Sequence, residues 1–236
     1  FAYDFANDPA QARANDDAII VQRGLTRDDF NFQVGDAQIK QGQLFLNAEY
    51  PLNDKWNLYS FGGASVKQGE GFGFRRLPSE TSNVVLSIFP NGFQPVLNSK
   101  IYDFSYAVGT KYQNNNWTLD LSNTFGSNVF NYDVSNTNNA SMGAQSPTEF
   151  NAGSHGFLQN TFNIDASKKI NNFNIAFGGE WRFEQYQIKS GEEASYKNYG
   201  LVSGAAGGAQ SFIGFSNENA LKKSRNFEAL YVDVSY

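Results

Sequence analysis

The sequence predicts an all-β fold, an antiparallel up-and-down transmembrane β-barrel, of which the chain is a partial barrel wall with about seven or eight strands. Three observations predict it. The 236 residues include 22 Phe and 12 Tyr, yet only 40% are hydrophobic and the mean hydropathy is -0.48. Apolar and polar residues alternate along several segments, and tight turns alternate with long connections. Because a barrel strand meets lipid with only every second side chain, such a wall is about half polar.

Composition also excludes several classes of protein. No run of about 18 apolar residues occurs, which excludes transmembrane helices. The absence of cysteine excludes disulfides, thiolate metal sites and cysteine nucleophiles. A net charge of -5 without a basic cluster disfavours nucleic acid, since phosphate neutralisation needs grouped Lys and Arg. We predict no metal site and no cofactor.

Residues 1–42 are the least regular part of the sequence. Phe1 to Phe5 are predicted to be a strand remnant, and residues 7–17 are predicted to be a solvated polar loop, because their carboxylates lack the spacing of a calcium-binding loop. The first residues have neither a basic nor an apolar leader region. An export signal is therefore expected to have been removed or to lie outside this sequence.

The first two strands are predicted at residues 43–52 and at residues 56 to about 66. In the first, every second residue from Leu44 onward is apolar, although Phe45 falls on the polar side. A tight turn at residues 53–55 separates the two strands. The pair Gly62-Gly63 weakens the second prediction, because glycine has no side chain to pack in a strand.

The next two strands follow a long connection predicted at residues 67–99. Residues 102–112 give the clearest alternation, from Tyr102 to Tyr112. A turn at residues 114–116 leads into residues 117–125, where apolar side chains beginning with Trp117 face one way and polar ones the other.

The last three strands are predicted at residues 158–167, 173–184 and 230–236. A second long loop, residues 135–156, precedes the first of them, and a tight turn at residues 171–172 follows it. A third long loop is predicted at residues 190–225. Alternation again leaves one apolar face on each strand.

The pattern of connections gives an orientation. Tight turns at Asn53, Asn114 and Asn171 alternate with loops of about 20 to 35 residues, a length that is uncommon in compact soluble domains. Outer-membrane barrels have short periplasmic turns and long outer loops. Charged residues on the polar faces are then expected in the lumen, and aromatic residues near the strand ends are expected at the level of the lipid headgroups.

Five short strings resemble the barrel region of TonB-dependent outer-membrane receptors. The resemblance covers most of residues 43–236. It implies a bacterial outer-membrane location, a plugged barrel of about 22 strands, and active uptake of a scarce nutrient such as a ferric siderophore or an oligosaccharide, energised through TonB. The strings are LNAEYPL at 46–52, FPNGF at 89–93, SPTEFNAG at 146–153, FGGEWR at 177–182 and YVD at 231–233.

The sequence departs from such receptors in one respect. Neither a plug domain nor a TonB box is recognisable, so residues 1–236 are expected to be one β-barrel segment of a larger receptor. The expected partners are the lipid bilayer, a small-molecule nutrient and, through parts outside this sequence, the TonB complex.

Five residues are candidate ligand contacts. Arg75 and Arg76 could clamp an anion through bidentate pairing, although solvated loop charges are the more ordinary explanation. Glu180 and Arg182 could contact a plug or a passing ligand, or merely pair across strands. His155 follows Ser154, but adjacency in sequence does not make a triad. We therefore predict no catalytic residue and no enzyme.

Two other interpretations stay open. One is a small complete outer-membrane barrel with a structural or adhesive role, which an aromatic end at Tyr236 favours and an odd strand count opposes. The other is a soluble carbohydrate-binding β-sandwich that uses its aromatic residues as stacking platforms.

Overall fold

Seven antiparallel strands form one open sheet in the computed structural model, which describes residues 8–236. Each strand pairs with the next along the chain, which confirms the predicted all-β, up-and-down arrangement. The edge strands, β1 and β7, are not paired with each other. The strands are β1 Gln38–Pro51, β2 Trp56–Phe72, β3 Val96–Asn114, β4 Trp117–Ser135, β5 Glu149–Ile170, β6 Phe173–Lys189 and β7 Leu221–Ser235.

Asparagine makes the three tight turns possible. The Oδ1 of Asn53 accepts hydrogen bonds from the backbone N–H groups of Lys55 and Trp56, at 3.0 and 3.1 Å. Asn115 and Asn171 have φ values of 49° and 53°. Asparagine tolerates this left-handed conformation better than most residues, so two residues suffice to reverse the chain between β3 and β4 and between β5 and β6.

The strands extend further toward the long loops than alternation predicted. The connections span only residues 73–95, 136–148 and 190–220, so the predicted boundaries at residues 67, 99, 156 and 225 were wrong. The extra strand residues are mostly polar or glycine, but backbone pairing continues through them, as at Gln38 with Glu70 and Val96 with Ser135. Backbone hydrogen bonds hold these ends, whereas alternation is visible only where one face is apolar.

The cross-strand register gathers the side chains onto two faces. The apolar face contains, for example, the row Ala64, Phe104 and Ser127, and the polar face contains the row Lys111, Asp120 and Asp165. On β2 the apolar-face residues are mostly exposed, and most residues of the polar face are only partly exposed. The polar face is thus the more sheltered side of this strand and of β3, whereas both faces of the edge strand β1 are exposed.

The prediction of a solvated loop at residues 7–17 was wrong. Residues Pro9–Gln22 form helix α1. Asp8 caps it by accepting a 3.0 Å hydrogen bond from the backbone N–H of Gln11, and Pro9 occupies the first turn, where its missing N–H costs nothing. Periodicity did not reveal this helix, because Ile20 is its only buried residue among those described. The predicted remnant at Phe1 to Phe5 lies outside the described residues.

Candidate functional site

The three long loops pack against one another at one end of the sheet, and we call them together the loop cap: residues 73–95, 136–148 and 190–220. The second loop contains a 3₁₀ helix, Ala140–Gln145, and the third contains a short helix α2, Glu193–Tyr196. Several of the most buried residues of the described chain lie here and are polar. They are Thr137, Asn138, Asn139, Ser141 and Ser195, each with no exposed surface.

Two adjacent asparagines hold the cap together. The Nδ2 of Asn138 donates to the carbonyl of Asn83 (2.8 Å), and its Oδ1 accepts from the N–H of Val85 (3.0 Å), which ties the second loop to the first. The Nδ2 of Asn139 donates to the carbonyls of Ala194 and Lys197, both at 2.8 Å, which ties it to the third. Because both amides are satisfied on either side, the second loop is the centre of a rigid assembly.

A bulge brings the third loop onto the sheet. Tyr132 pairs with Gly153 and Asp133 pairs with Asn151, so Ala152 is the extra residue on β5. Its carbonyl accepts a 3.0 Å hydrogen bond from the N–H of Phe215. Bulges re-aim backbone groups in this way. The third loop is consequently anchored over the loop end of the polar face.

Arg76 is engaged within the cap. Its backbone forms an isolated bridge with Phe93, and its Nε donates to Gln210 Oε1 at 3.3 Å. A weaker ion pair joins it to Glu80 at 3.9 Å. Gln210 in turn exchanges hydrogen bonds with Thr137, both at 3.1 Å. The Arg76 side chain therefore links the first and third loops.

Arg75 points to a different neighbour, the segment that follows α1. Its guanidinium lies 5.5 Å from the ring centre of Phe30, and its Nε has no hydrogen-bond partner among residues 8–236. Burial lowers the pKa of Arg75 below its ordinary value, and the charge of Asp29 partly opposes this shift. Arg75 and Arg76 thus have separate partners, and the structure does not bring their guanidinium groups to a shared one.

His155 lies in strand β5 and not in a loop. Its ring stacks on Phe130, with centres 5.5 Å apart and planes inclined by 10°, and its Nδ1 lies 3.3 Å from the hydroxyl of Tyr132. Tyr132 also stacks on Phe212 of the third loop at 5.0 Å. The predicted loop ended too late, because the ladder between β4 and β5 continues beyond the apolar segment. His155 is part of an aromatic cluster beneath the cap.

Glu180 and Arg182 belong to a charged ladder on β6 and β7. The Nε of Arg182 lies 3.4 Å from Glu180 and 3.6 Å from Glu184. Glu184 also accepts two 2.7 Å contacts from Arg225, and both arginines lie over the ring of Phe227. Sequence reasoning missed Arg225 because it placed this residue in a loop. The ladder neutralises its own charges on the polar face.

A groove of about 680 Å³ crosses the sheet below these two clusters. On the polar face, small residues such as Gly63, Ser105 and Gly126 line it together with the rings of Phe45 and Phe157. Asp103 stands beside them and accepts hydrogen bonds from Ser65 and Asn128. No lysine or arginine lines the groove, so it does not favour an anion.

The described residues offer little else that is chemically reactive. Within residues 8–236, no three His, Asp or Glu side chains assemble as metal ligands. No helix in the same range is long and apolar enough to cross a membrane. The buried asparagines, which sequence reasoning missed, carry one weak signal, a Thr-Asn-Asn run between two strands.

No protein-family model and no curated protein matches the chain.

Proposed function

We propose that the chain is part of the wall of an outer-membrane transport receptor, with its apolar face toward lipid, its polar face toward the lumen and its loop cap outside. One observation carries the proposal: the apolar band runs obliquely across the cross-strand rows. On the side of the long loops, the apolar band ends at Tyr102 on β3 and at Phe183 on β6. The cross-strand row of Phe183 runs through Asn160 and Phe125 and meets β3 at Tyr106, which is nearer the tight turns than Tyr102.

The slope of the band matches tilted strands in a bilayer. From β3 to β6, three strands further, the limit of the band moves by about four residues along the strands. With a rise of about 3.3 Å per residue and a distance of about 4.8 Å between neighbouring strands, the strands are tilted by about 40° from the normal of the band. Barrel strands are tilted by about 35–45°. A planar lipid slab that crosses tilted strands leaves such an oblique apolar band, whereas a soluble sheet has no need of it.

The height of the band supports the same proposal. On β3 it extends from Tyr112 to Tyr102, about ten residues or about 33 Å along the strand, which at this tilt is about 25 Å along the membrane normal. This equals the usual height of the apolar band of an outer-membrane barrel.

Aromatic residues collect at the turn end of the apolar face. The ring centres of Trp56 and Tyr112 lie 4.9 Å apart, and those of Phe173 and Tyr236 lie 5.0 Å apart. The Nζ of Lys168 lies 4.8 Å above the ring of Trp117. Amphipathic rings and a lysine with an apolar stem are suited to the boundary between hydrocarbon and headgroups. We assign them to the periplasmic girdle.

Topology is tested with single cysteines, since the chain has none of its own. Tyr106 and Ser105 are neighbours on opposite faces, and both are exposed. In intact membranes, Tyr106→Cys should resist a water-soluble maleimide and Ser105→Cys should react. Equal labelling of both, or solubility of the protein without detergent, would contradict the proposal and favour the soluble alternative.

Receptor activity is proposed on the resemblance to TonB-dependent receptors and on the ordered cap over a sheltered polar face. Its test is uptake of labelled ferric siderophores and oligosaccharides by cells that carry the parent gene. We expect accumulation that disappears when the gene or TonB is deleted. Accumulation that is independent of both would leave a barrel with a structural or adhesive role as the better description.

A further inference from the structure

Two tyrosines on the polar face reach across a neighbouring strand. Tyr59 of β2 donates its hydroxyl to Asp120 Oδ1 on β4, at 2.7 Å, and Tyr231 of β7 donates to Asp165 Oδ1 on β5, also at 2.7 Å. In each case one strand lies between donor and acceptor. Asp120 and Asp165 are themselves direct cross-strand partners.

A glycine lies under each tyrosine ring. Tyr59 is the cross-strand partner of Gly109, and Tyr231 is the partner of Gly178. A Cβ on Gly109 would overlap ring atoms of Tyr59, and a Cβ on Gly178 would overlap the ring of Tyr231. The rings therefore cross β3 and β6 only because these positions lack side chains.

We propose that Tyr59–Gly109–Asp120 and Tyr231–Gly178–Asp165 are two register locks, each of which fixes the alignment of strands that no tight turn aligns. Tyr59 spans the pairing of β2 with β3, whose connection is residues 73–95. Tyr231 spans the pairing of β6 with β7, whose connection is residues 190–220. A tight turn fixes register, but loops of this length do not.

Alternation cannot supply the missing information. A slip of one residue exchanges the two faces and is excluded, but a slip of two residues keeps every side chain on its face. After such a slip Tyr59 would face Ala107 or Lys111, and Tyr231 would face Ala176 or Glu180. Each of these residues has a Cβ where the ring must lie, and the aspartate would be out of line. The locks thus discriminate among the registers that alternation permits, whether or not lipid covers the apolar face.

Cysteine pairs report the register of β2 against β3 in cells that express the protein. Ser60 and Val108 are partners in the observed register, and Leu58 meets Val108 after a slip of two residues. We expect the pair Ser60→Cys with Val108→Cys to form the dominant disulfide. In a Tyr59→Phe background, the ratio of this native disulfide to the Leu58→Cys, Val108→Cys disulfide should fall about tenfold, because a hydrogen bond to a carboxylate is lost.

Matched controls exist on the same face. Tyr186→Phe removes a hydroxyl for which the described residues provide no hydrogen bond, and Gly126→Ala adds a Cβ where there is open space. Both should leave the ratio unchanged. The proposal is overturned if Tyr59→Phe and Gly109→Ala also leave it unchanged.

Gly109→Ala alone could prevent assembly because its Cβ overlaps the Tyr59 ring. A double variant separates this steric overlap from the loss of the register lock. Tyr59→Ala with Gly109→Ala removes both the ring and the overlap. This double variant should assemble, and its ratio of native to slipped disulfide should be as low as that of Tyr59→Phe. Failure to assemble, or a ratio equal to that of the unmodified protein, counts against a lock. The pairs Ile175→Cys with Val234→Cys and Ile175→Cys with Val232→Cys test Tyr231 in the same way.

Discussion

Asn123 donates a hydrogen bond from its Nδ2 to the Oδ1 of Asn160, at 2.8 Å, in the middle of the apolar face. The same Nδ2 also lies 3.2 Å from the carbonyl oxygen of Thr161. Their cross-strand partners, Phe162 and Phe125, are aromatic. An amide on an apolar surface is tolerated when it has a hydrogen-bond partner, and here the Asn123 amide donates to the Asn160 side-chain carbonyl.

Asn123→Leu should destabilise the protein by about 1–3 kcal/mol, because it leaves the Asn160 amide without its partner. Asn123→Leu combined with Asn160→Leu should recover most of this loss, since neither side chain then carries an unpaired polar group and only the contact with the Thr161 carbonyl is lost. Denaturant unfolding of the purified protein measures both. A double variant that is less stable than either single variant would show that the pair contributes more than mutual satisfaction.

Asn138→Ala should open the loop cap without unfolding the sheet. The change leaves the partly buried Asn83 carbonyl and Val85 N–H without their side-chain partners, at a cost of at most about 1–3 kcal/mol for each group. Limited proteolysis should then cut within residues 73–95 and 136–148. Asn217→Ala, in an exposed part of the third loop, is the control and should cut like the unmodified protein. Unchanged protection in Asn138→Ala would mean that other contacts hold the cap.

Glu184→Gln should cost more stability than Glu180→Gln. The carboxylate of Glu184 is 8% exposed and is contacted by two arginines, whereas that of Glu180 is 34% exposed and contacts one. We expect about 2 kcal/mol for Glu184→Gln and less than about 1 kcal/mol for Glu180→Gln. Thermal unfolding of the purified variants compares them. Equal losses would show that the ladder acts as surface charge only.

Asp29 should titrate below its ordinary pKa of 3.8. The backbone N–H of Thr26 and then its hydroxyl donate to the carboxylate, which lowers its pKa. The contact between Thr26 and the Asp29 carboxylate stabilises the 3₁₀ helix Arg27–Phe30. Because the pKa is lowered, this stabilisation is complete at pH values above the ordinary pKa of the carboxyl group. It is lost as the pH falls through the lowered value.

NMR titration of the Asp29 carboxyl group measures the shift against a peptide of residues 24–32. Thr26→Val removes the hydroxyl but keeps the backbone donor, so the pKa should return only part of the way. A complete return would mean that the hydroxyl and not the backbone N–H causes the shift.

Much of the sheet could be predicted because alternation and turn chemistry are local properties. The segments around Leu44, Tyr106, Phe162 and Phe177 were placed in the correct strands, and their order follows from the tight asparagine turns. Strand ends were misplaced where polar residues occupy both faces, as from residue 67 to Phe72, because only pairing with another strand defines them. Helix α1 was missed for a related reason, since its cap at Asp8 carries more information than its apolar pattern.

The candidate sites were less accessible to sequence reasoning. Glu180 and Arg182 were placed correctly on the polar face, but Glu184, which Arg182 also contacts, takes its second arginine, Arg225, from some forty residues away. Arg75 and Arg76 are neighbours in sequence, yet one faces Phe30 and the other Gln210. Contacts between distant segments depend on loop paths, which no local pattern encodes.

By itself, the sequence determined the strands, their two faces and the end of the sheet at which each connection lies, because side-chain alternation and turn conformation act over a few residues. The tertiary structure decided the register, the slope of the apolar band and the loop cap. The register depends on which strand alignment places a glycine under Tyr59. The loop cap depends on which loop path places an asparagine amide between two loops. Only the complete set of long-range contacts selects among alignments that local preferences leave equal in energy.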